Sequence, residues 1–230
     1  MSSTRRTALV TGVLFLLTEV TAIVGLVLYQ PALKDARYVV GPGADARVLL
    51  GGLFELLLVA AVVGTAAALY PVLRRIDPGL AVGYVCFRLL EAAVIVVGTV
   101  SVLAVVTLRR DLAGAAGTDD AALVTVGHAL VALHDWTFLI GPNIALGANS
   151  LLLGALMYRS RLVPRPIAAL GVAGGALICA SGTAVLFGLY EQVSTVGSLA
   201  ALPVFGWEVS FAVYLVARGF RPAAEGIHAA

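Results

Sequence analysis

Residues 80–108 read LAVGYVCFRLLEAAVIVVGTVSVLAVVTL. Arg88 and Glu91 are the only charged residues in this stretch, and no proline interrupts it. A helix rises 1.5 Å per residue, so about 20 apolar residues cross the ~30 Å hydrocarbon core of a bilayer. The stretch is long enough to cross a membrane as a single helix.

The rest of the chain repeats this pattern, and its composition agrees with it. Of 230 residues, 60% are hydrophobic and 12% are charged, against roughly 25% charged in an average soluble domain. A soluble fold has no way to bury so much apolar surface. The sequence predicts an all-α, polytopic integral membrane protein, with one membrane domain over residues 1–230 and six transmembrane helices. The predicted spans cover residues 8–29, 49–73, 80–108, 136–158, 167–189 and 199–217.

Proline and glycine mark the breaks between these runs, because they interrupt helices and favour turns. The breaks are Gly41-Pro42-Gly43, Asp77-Pro78-Gly79, residues 114–120, and Pro164-Arg165-Pro166. Residues 119–133 precede the fourth span, and the sequence predicts that they form an additional interfacial helix with Asp119 or Asp120 near its start. A seventh crossing is disfavoured, because no loop separates this segment from His134-Asp135.

Positive charge is unequally divided between the two sides of the predicted membrane domain. With the N-terminus inside, nine basic residues flank the spans on the cytoplasmic side and five on the outer side. Cytoplasmic loops of membrane proteins carry the excess of arginine and lysine. The sequence therefore predicts a multi-pass protein of the inner (plasma) membrane with both termini in the cytoplasm.

Several classes of function lack the sequence features they require. The net charge is +2, and no block of basic residues is interleaved with aromatic residues, so nucleic acid is not an expected partner. The chain has no nucleophile elbow, phosphate loop or dinucleotide fingerprint, and we expect no cofactor. Cys86 and Cys179 each lie inside an apolar run, where a thiol acts as a small packing residue. The expected partners are the lipid bilayer and a small-molecule or ion ligand.

Five charged residues lie inside the predicted spans: Glu19, Glu55, Arg88, Glu91 and Glu208. A charge at the centre of a membrane helix costs at least ~2.5–3.5 kcal/mol, so such side chains face the protein interior and find partners. Arg88 and Glu91 are three residues apart and therefore project from one face of a helix.

These residues do not balance in charge. Four ionised glutamates and one arginine would place a charge of −3 inside the membrane domain, which burial opposes. Protonation, a bound cation or cationic ligand, or a water-filled cavity would each relieve it. The alternative is a purely structural network in which polar side chains hold helices together and the surplus acids carry protons.

The fourth span contributes further polar candidates. Gly141-Pro142-Asn143 predicts either an ordinary proline kink, which the sequence favours, or a broken helix that lines a site and adds Asn143 to it. His128, His134 and Asp135 are the candidates for a metal site together with Glu55. Their signal is weak, because two histidines six residues apart do not share a helix face as those of HExxH do. We expect a hydrogen-bonding role ahead of metal binding.

Several motifs together resemble one known family. They are Arg88-Leu-Leu-Glu91, His134-Asp135, the run Tyr158-Arg-Ser-Arg-Leu-Val-Pro-Arg165, Glu208, and Arg218-Gly-Phe220. In these motifs the chain resembles the bacterial membrane family called domain of unknown function 4386, from the first span to about Phe220. The resemblance implies a single six-helix domain in a bacterial inner membrane, and it implies no substrate or activity.

Three functional hypotheses follow from the sequence. The favoured one is small-molecule or ion binding, or transport, at a buried site of Glu19, Glu55, Arg88, Glu91, Asn143 and Glu208. The second is a structural or regulatory membrane protein whose polar network only holds the helices together. The third is an intramembrane enzyme that modifies a lipid, with or without a metal, and the sequence favours a non-enzymatic role over it.

Overall fold

The structure is a computed structural model that describes residues 3–221, and this part of the chain is helical with no strand. The helices are α1 (Ser3–Lys34), α2 (Asp45–Leu73), α3 (Pro78–Leu112), α4 (Asp120–Leu139), a π-helical turn (Ile140–Ala145), α5 (Leu146–Ser160), α6 (Arg165–Leu186) and α7 (Thr195–Ala217).

Six helical runs in the described residues are long and apolar enough to cross a membrane: Thr4–Lys34, Asp45–Leu73, Pro78–Leu112, Asp120–Ser160, Arg165–Leu186 and Thr195–Ala217. This confirms the predicted all-α membrane fold with six spans, and the chain is a multi-pass membrane protein.

Most of the helices begin before the apolar runs that predicted them. Three of the predicted loops contain helix starts, since α3 begins at Pro78, α4 at Asp120 and α6 at Arg165. Proline suits the first turn of a helix because its missing N–H has no partner there in any case. The Asp77 carboxylate accepts a hydrogen bond from the Leu80 N–H at 3.1 Å and caps α3. This bond, with Arg159 nearby, holds the pKa of Asp77 below its usual value.

The fourth run differs from its prediction. Residues 120–160 form one helical run of 41 residues, so the segment predicted as a separate interfacial helix continues without a break into the span. The π turn holds Gly141-Pro142-Asn143, and the Leu146 N–H reaches the Gly141 carbonyl five residues earlier. Proline removes one helical hydrogen bond, and a π turn restores pairing after it. The helix is therefore neither broken nor a simple proline kink.

Packing divides the chain into two compact units. We call unit 1 the residues up to Glu19, Ala60–Ala92 and the residues from Leu139 onward. Unit 2 comprises Val20–Val59 and Ala93–Phe138. Each of the first three helices is divided between the two units, with one part in unit 1 and the other in unit 2.

Unit 1 owes its close helix packing to glycines on α6. A Cβ added to Gly175 would lie 2.7 Å from the Gly147 carbonyl oxygen of α5, and one added to Gly174 would lie 2.7 Å from the Val204 nitrogen of α7. Small residues let membrane helices approach this closely. The aromatic core of the unit stacks Trp207 on Phe211 with ring centroids 4.8 Å apart, and Phe15 meets Phe211 edge to face at 5.3 Å.

Unit 2 is closed at one end by a cluster around Asp45, the first residue of α2. The Tyr38 hydroxyl donates to Asp45 Oδ1 at 2.8 Å, and the Nε atoms of Arg109 and Arg110 lie 3.2 and 2.9 Å from the carboxylate. Burial of Tyr38, and the Asp45 carboxylate beside it, raise the pKa of the Tyr38 hydroxyl. These contacts hold the α1–α2 connection against the end of α3.

Candidate functional site

Arg88 is the centre of a polar cluster in unit 1. It is 1% exposed. Its Nη2 donates to Glu208 Oε1 of α7 at 2.8 Å, and its Nη1 donates to Glu91 Oε2 at 3.2 Å. The Nε atom donates to the Tyr84 hydroxyl at 3.3 Å. Every arm of the guanidinium is thus engaged by oxygen, as burial of a charge requires.

The sequence of α3 explains this arrangement locally. Tyr84, Arg88 and Glu91 are spaced by four and three residues and so lie on one face of the helix. The Phe15 ring of α1 covers the guanidinium, with its centroid 4.9 Å from Cζ. This distance is typical of a cation–π contact.

Glu91 connects the cluster to α5. Its Oε2 accepts a hydrogen bond from Asn149 Nδ2 at 2.6 Å. Asn149 is completely buried, and within the described part of the chain its Oδ1 has no hydrogen-bond partner. An unpaired buried carbonyl oxygen lowers stability by its desolvation free energy. This oxygen can accept a hydrogen bond or coordinate a cation.

Glu19 of α1 completes the cluster. Its carboxyl group lies beside the Glu208 carboxyl, and Glu19 is half-buried while Glu208 is buried. Two ionised carboxylates about 4 Å apart repel by ~4 kcal/mol at an effective dielectric constant of ~20. A proton or a cation shared by the pair removes this repulsion.

We refer to Glu19, Arg88, Glu91, Asn149 and Glu208 as the polar centre. It joins α1, α3, α5 and α7, and its three carboxyl groups face one guanidinium, which gives −3 + 1 = −2 when all are ionised. The arrangement can hold protons or a cation, because both bind to the same surplus of carboxyl oxygens.

Two predicted site residues lie elsewhere. Glu55 belongs to unit 2, where its carboxyl group packs against Gly25. Asn143 is buried in the π turn and lies against Gly182 of α6. The structure therefore brings together Glu19, Arg88, Glu91 and Glu208, and not Glu55 or Asn143.

Sequence reasoning did not include Asn149, a member of the polar centre, or Tyr84, which bonds to Arg88. Tyr84 precedes Arg88 by four residues, and this spacing alone places the two on one helix face. No signal pointed to Asn149, because a contact between α5 and α3 depends on how helices far apart in sequence pack.

The histidine candidates lie in unit 2. His134 is buried, its Nδ1 lies 3.3 Å from Asp135 Oδ1, and its ring stacks on Phe138 with centroids 6.0 Å apart. His128 and Asp135 are exposed. Among the described residues, no group of three or more His, Cys, Asp or Glu side chains is placed to hold a metal ion.

Comparisons with known proteins match the chain to one family, which has no assigned activity. The sequence model of the family described as "Domain of unknown function (DUF4386)" matches residues 10–219. This match agrees with the resemblance seen in the motifs. No curated protein and no solved structure matches the chain.

Proposed function

Since this chain belongs to the family DUF4386, a domain of unknown function, we propose its function from its own side chains: it binds a small cation in exchange for a proton at the polar centre. Reversible binding of this kind is the elementary step of an ion carrier or an ion-regulated membrane protein. The proposal concerns that step and the residues that perform it.

The observation that carries the proposal is the carboxyl pair of Glu19 and Glu208 beside Arg88. Arg88 neutralises one of the three carboxylates. Each of the other two, when ionised, needs a positive charge from a proton or a cation. A proton and a metal cation compete for these oxygens, so binding of the cation releases the proton. Competition at one set of oxygens is the physical basis of exchange.

Asn149 supports the choice of a hard cation. Its buried Oδ1 has no partner within the described residues, and its Nδ2 is fixed by Glu91. Carboxylate and carbonyl oxygens are the ligands preferred by hard cations, and membrane carriers hold Na⁺ with carbonyl oxygens. We therefore take Na⁺ as the probe.

One observation favours the structural alternative. Arg88 makes hydrogen bonds to Tyr84, Glu91 and Glu208, and such contacts can hold helices together without any ligand. The two functions differ at Glu19, which makes no direct bond to Arg88. Exchange requires a carboxyl group at Glu19, whereas a structural network tolerates an amide there.

The test measures protons released when NaCl is added to the purified protein in weakly buffered, uncharged detergent. Wild type should release up to about one proton per protein, and choline chloride, whose cation is too large for a site of this kind, should release none. Glu19→Gln should abolish the release. Glu55→Gln is the matched control, because it makes the same change in another span outside the polar centre.

Two results would contradict the proposal. The first is no release from wild type with Na⁺, K⁺ or Ca²⁺ at any pH between 5 and 9. The second is equal release from wild type and Glu19→Gln. Either outcome leaves the structural function, in which the polar centre only joins helices.

We propose an orientation from the charges that flank the spans. The side with nine arginines, at the N-terminus, the α2–α3 and α5–α6 connections and the end of α7, faces the cytoplasm of a bacterial inner membrane. Single cysteines at Arg75 and Gly114, in a variant without native cysteines, test this in intact cells. A membrane-impermeant thiol reagent should label Gly114→Cys and leave Arg75→Cys unlabelled, and the reverse would overturn it.

A further inference from the structure

A polar cleft of about 340 Å³ lies in unit 2. Its walls are the end of α1, the turn that follows and one face of α4, and none of its residues belongs to the polar centre. The volume falls in the usual range of small-molecule sites, ~300–1,000 Å³. The polar side chains that line it are Lys34, Asp35, Tyr38, His128 and Asp135.

Lys34 provides the positive charge of this cleft. It is the sole lysine of the chain, since the other 14 basic residues are arginines. Among residues 4–221 the Lys34 ammonium group has no hydrogen bond and no ion pair. The neighbouring Asp35 carboxylate accepts the Arg37 N–H at 2.9 Å instead. The positively charged Lys34 side chain therefore lines the cleft without a bound counter-charge.

The opposite wall carries an acid and an imidazole. His128 and Asp135 are seven residues apart, which is two helical turns, and both line the cleft from one face of α4. The Asp135 side chain is 68% exposed, and its Oδ1 lies 3.3 Å from His134 Nδ1. Gly127, on the same wall, lets α4 approach Val39, which would lie 3.3 Å from a Cβ at that position.

The cleft carries side chains of both signs, and this selects the ligand. A simple anion would meet the Asp35 and Asp135 carboxylates, and a simple cation would meet Lys34. A ligand with both an anionic group and an ammonium group can pair with lining side chains of either sign. Apolar side chains between the walls, such as Val105 and Val131, suit the aliphatic part of an amphiphile.

We propose that this cleft binds phosphoethanolamine, with Lys34 and His128 on the phosphate and Asp135 on the ammonium group. Lys34 and His128 provide two donors, which a phosphate group can accept on separate oxygens. Lys34 ends a membrane-spanning helix, so the cleft opens where lipid headgroups lie. The ligand chemistry is that of a phosphatidylethanolamine headgroup, or of the free phosphoethanolamine ester.

The single lysine makes the site directly observable. Reductive methylation with ¹³C-formaldehyde gives Lys34 one dimethylamine signal, which Lys34→Arg removes, in addition to that of the terminal amine. The amine stays positively charged after this reaction. The full-length protein is reconstituted in nanodiscs of phosphatidylglycerol mixed with either phosphatidylethanolamine or phosphatidylcholine. In a second arm, soluble glycerophosphoethanolamine is added in uncharged detergent.

The Lys34 signal should shift with phosphatidylethanolamine and not with phosphatidylcholine, whose cation has no N–H for Asp135. Asp135→Asn should lower the affinity for the ethanolamine headgroup about tenfold, as expected for a lost charge-assisted hydrogen bond. Asp111→Asn, an exposed acid outside the cleft, is the matched control and should change nothing. A response to the soluble ester as well assigns the headgroup as sufficient, and a response to the lipid alone assigns the acyl chains as necessary.

Three results would overturn the proposal. They are no shift with either source, equal shifts with ethanolamine and choline lipids, and an unchanged response in Asp135→Asn. Any of them would mean that these charges are simply solvated. The proton-release experiment at the polar centre is unaffected by these outcomes, since it depends on other residues.

Discussion

Replacement of Arg88 by methionine should destabilise unit 1 strongly. Methionine preserves most of the side-chain length but removes the positive charge, the 2.8 Å bond to Glu208 and the 3.2 Å bond to Glu91. Both glutamates are only 5% exposed, so their carboxylates would lose their counter-charge without gaining water.

Two estimates bracket the magnitude. Polar contacts between membrane helices average ~0.6 kcal/mol, which sets a low bound for the one bond from Arg88 to α7. Removing one partner of a buried ion pair costs ~3–5 kcal/mol, because the remaining charge is left unpaired. The second effect dominates here, since Glu91 and Glu208 both depend on Arg88. We expect a loss of about 3 kcal/mol in the free energy of unfolding.

The assay is reversible unfolding by sodium dodecyl sulfate in mixed micelles, followed by circular dichroism. Arg110→Met is the control, because Arg110 pairs with Asp45 while its own side chain is 50% exposed. Such a pair contributes at most ~1 kcal/mol. If Arg88→Met lost less than ~1 kcal/mol, or no more than Arg110→Met, the reasoning about the buried pair would be refuted.

Three further predictions concern the polar centre, the helix packing and a helix cap. Asn149→Ala should weaken Na⁺-driven proton release, because it removes the donor to Glu91 and the free carbonyl oxygen, and an unchanged sodium dependence would argue against a ligand role. Gly174→Ala should lower the free energy of unfolding by ~1–3 kcal/mol through overpacking, whereas Gly206→Ala, whose Cβ would meet only Leu170 at 3.8 Å, should raise it by up to ~1 kcal/mol. Both are read by the same unfolding assay. Asp77→Asn should remove the stability that the carboxylate provides above its unfolded pKa of ~3.9. Because the folded pKa is lower, wild type should lose this stability as pH falls through the folded value, and the curves of the two proteins should converge there. Curves that stay parallel down to pH 2 would contradict the cap.

The sequence predicts most of the fold because its signals are local. Span length and charge content reveal the six membrane helices, and the three-residue spacing of Arg88 and Glu91 reveals their contact. The helix ends are less well predicted, since a proline such as Pro78 reads as a loop in the sequence and begins a helix in the structure.

The membership of the polar centre depends on contacts between distant segments. Glu55 and Glu19 are equally polar and equally embedded in apolar runs, yet they lie in different units. Pro142 singles out Asn143 as a candidate site residue in the sequence, whereas in the structure Asn149 bonds to Glu91. The π turn shifts the register of the helix between these two asparagines, and no spacing rule for a regular helix anticipates which one faces α3.

Infrared difference spectroscopy of the carboxylic-acid band, recorded before and after addition of Na⁺, tests proton–cation exchange at the polar centre most directly. A protonated carboxyl group absorbs apart from a carboxylate, so the band reports the proton itself. The account predicts that Na⁺ removes this band in wild type and in Glu55→Gln, and that Glu19→Gln shows no change on addition of Na⁺. A band that is insensitive to Na⁺ in wild type, or that disappears equally in Glu19→Gln, would contradict it.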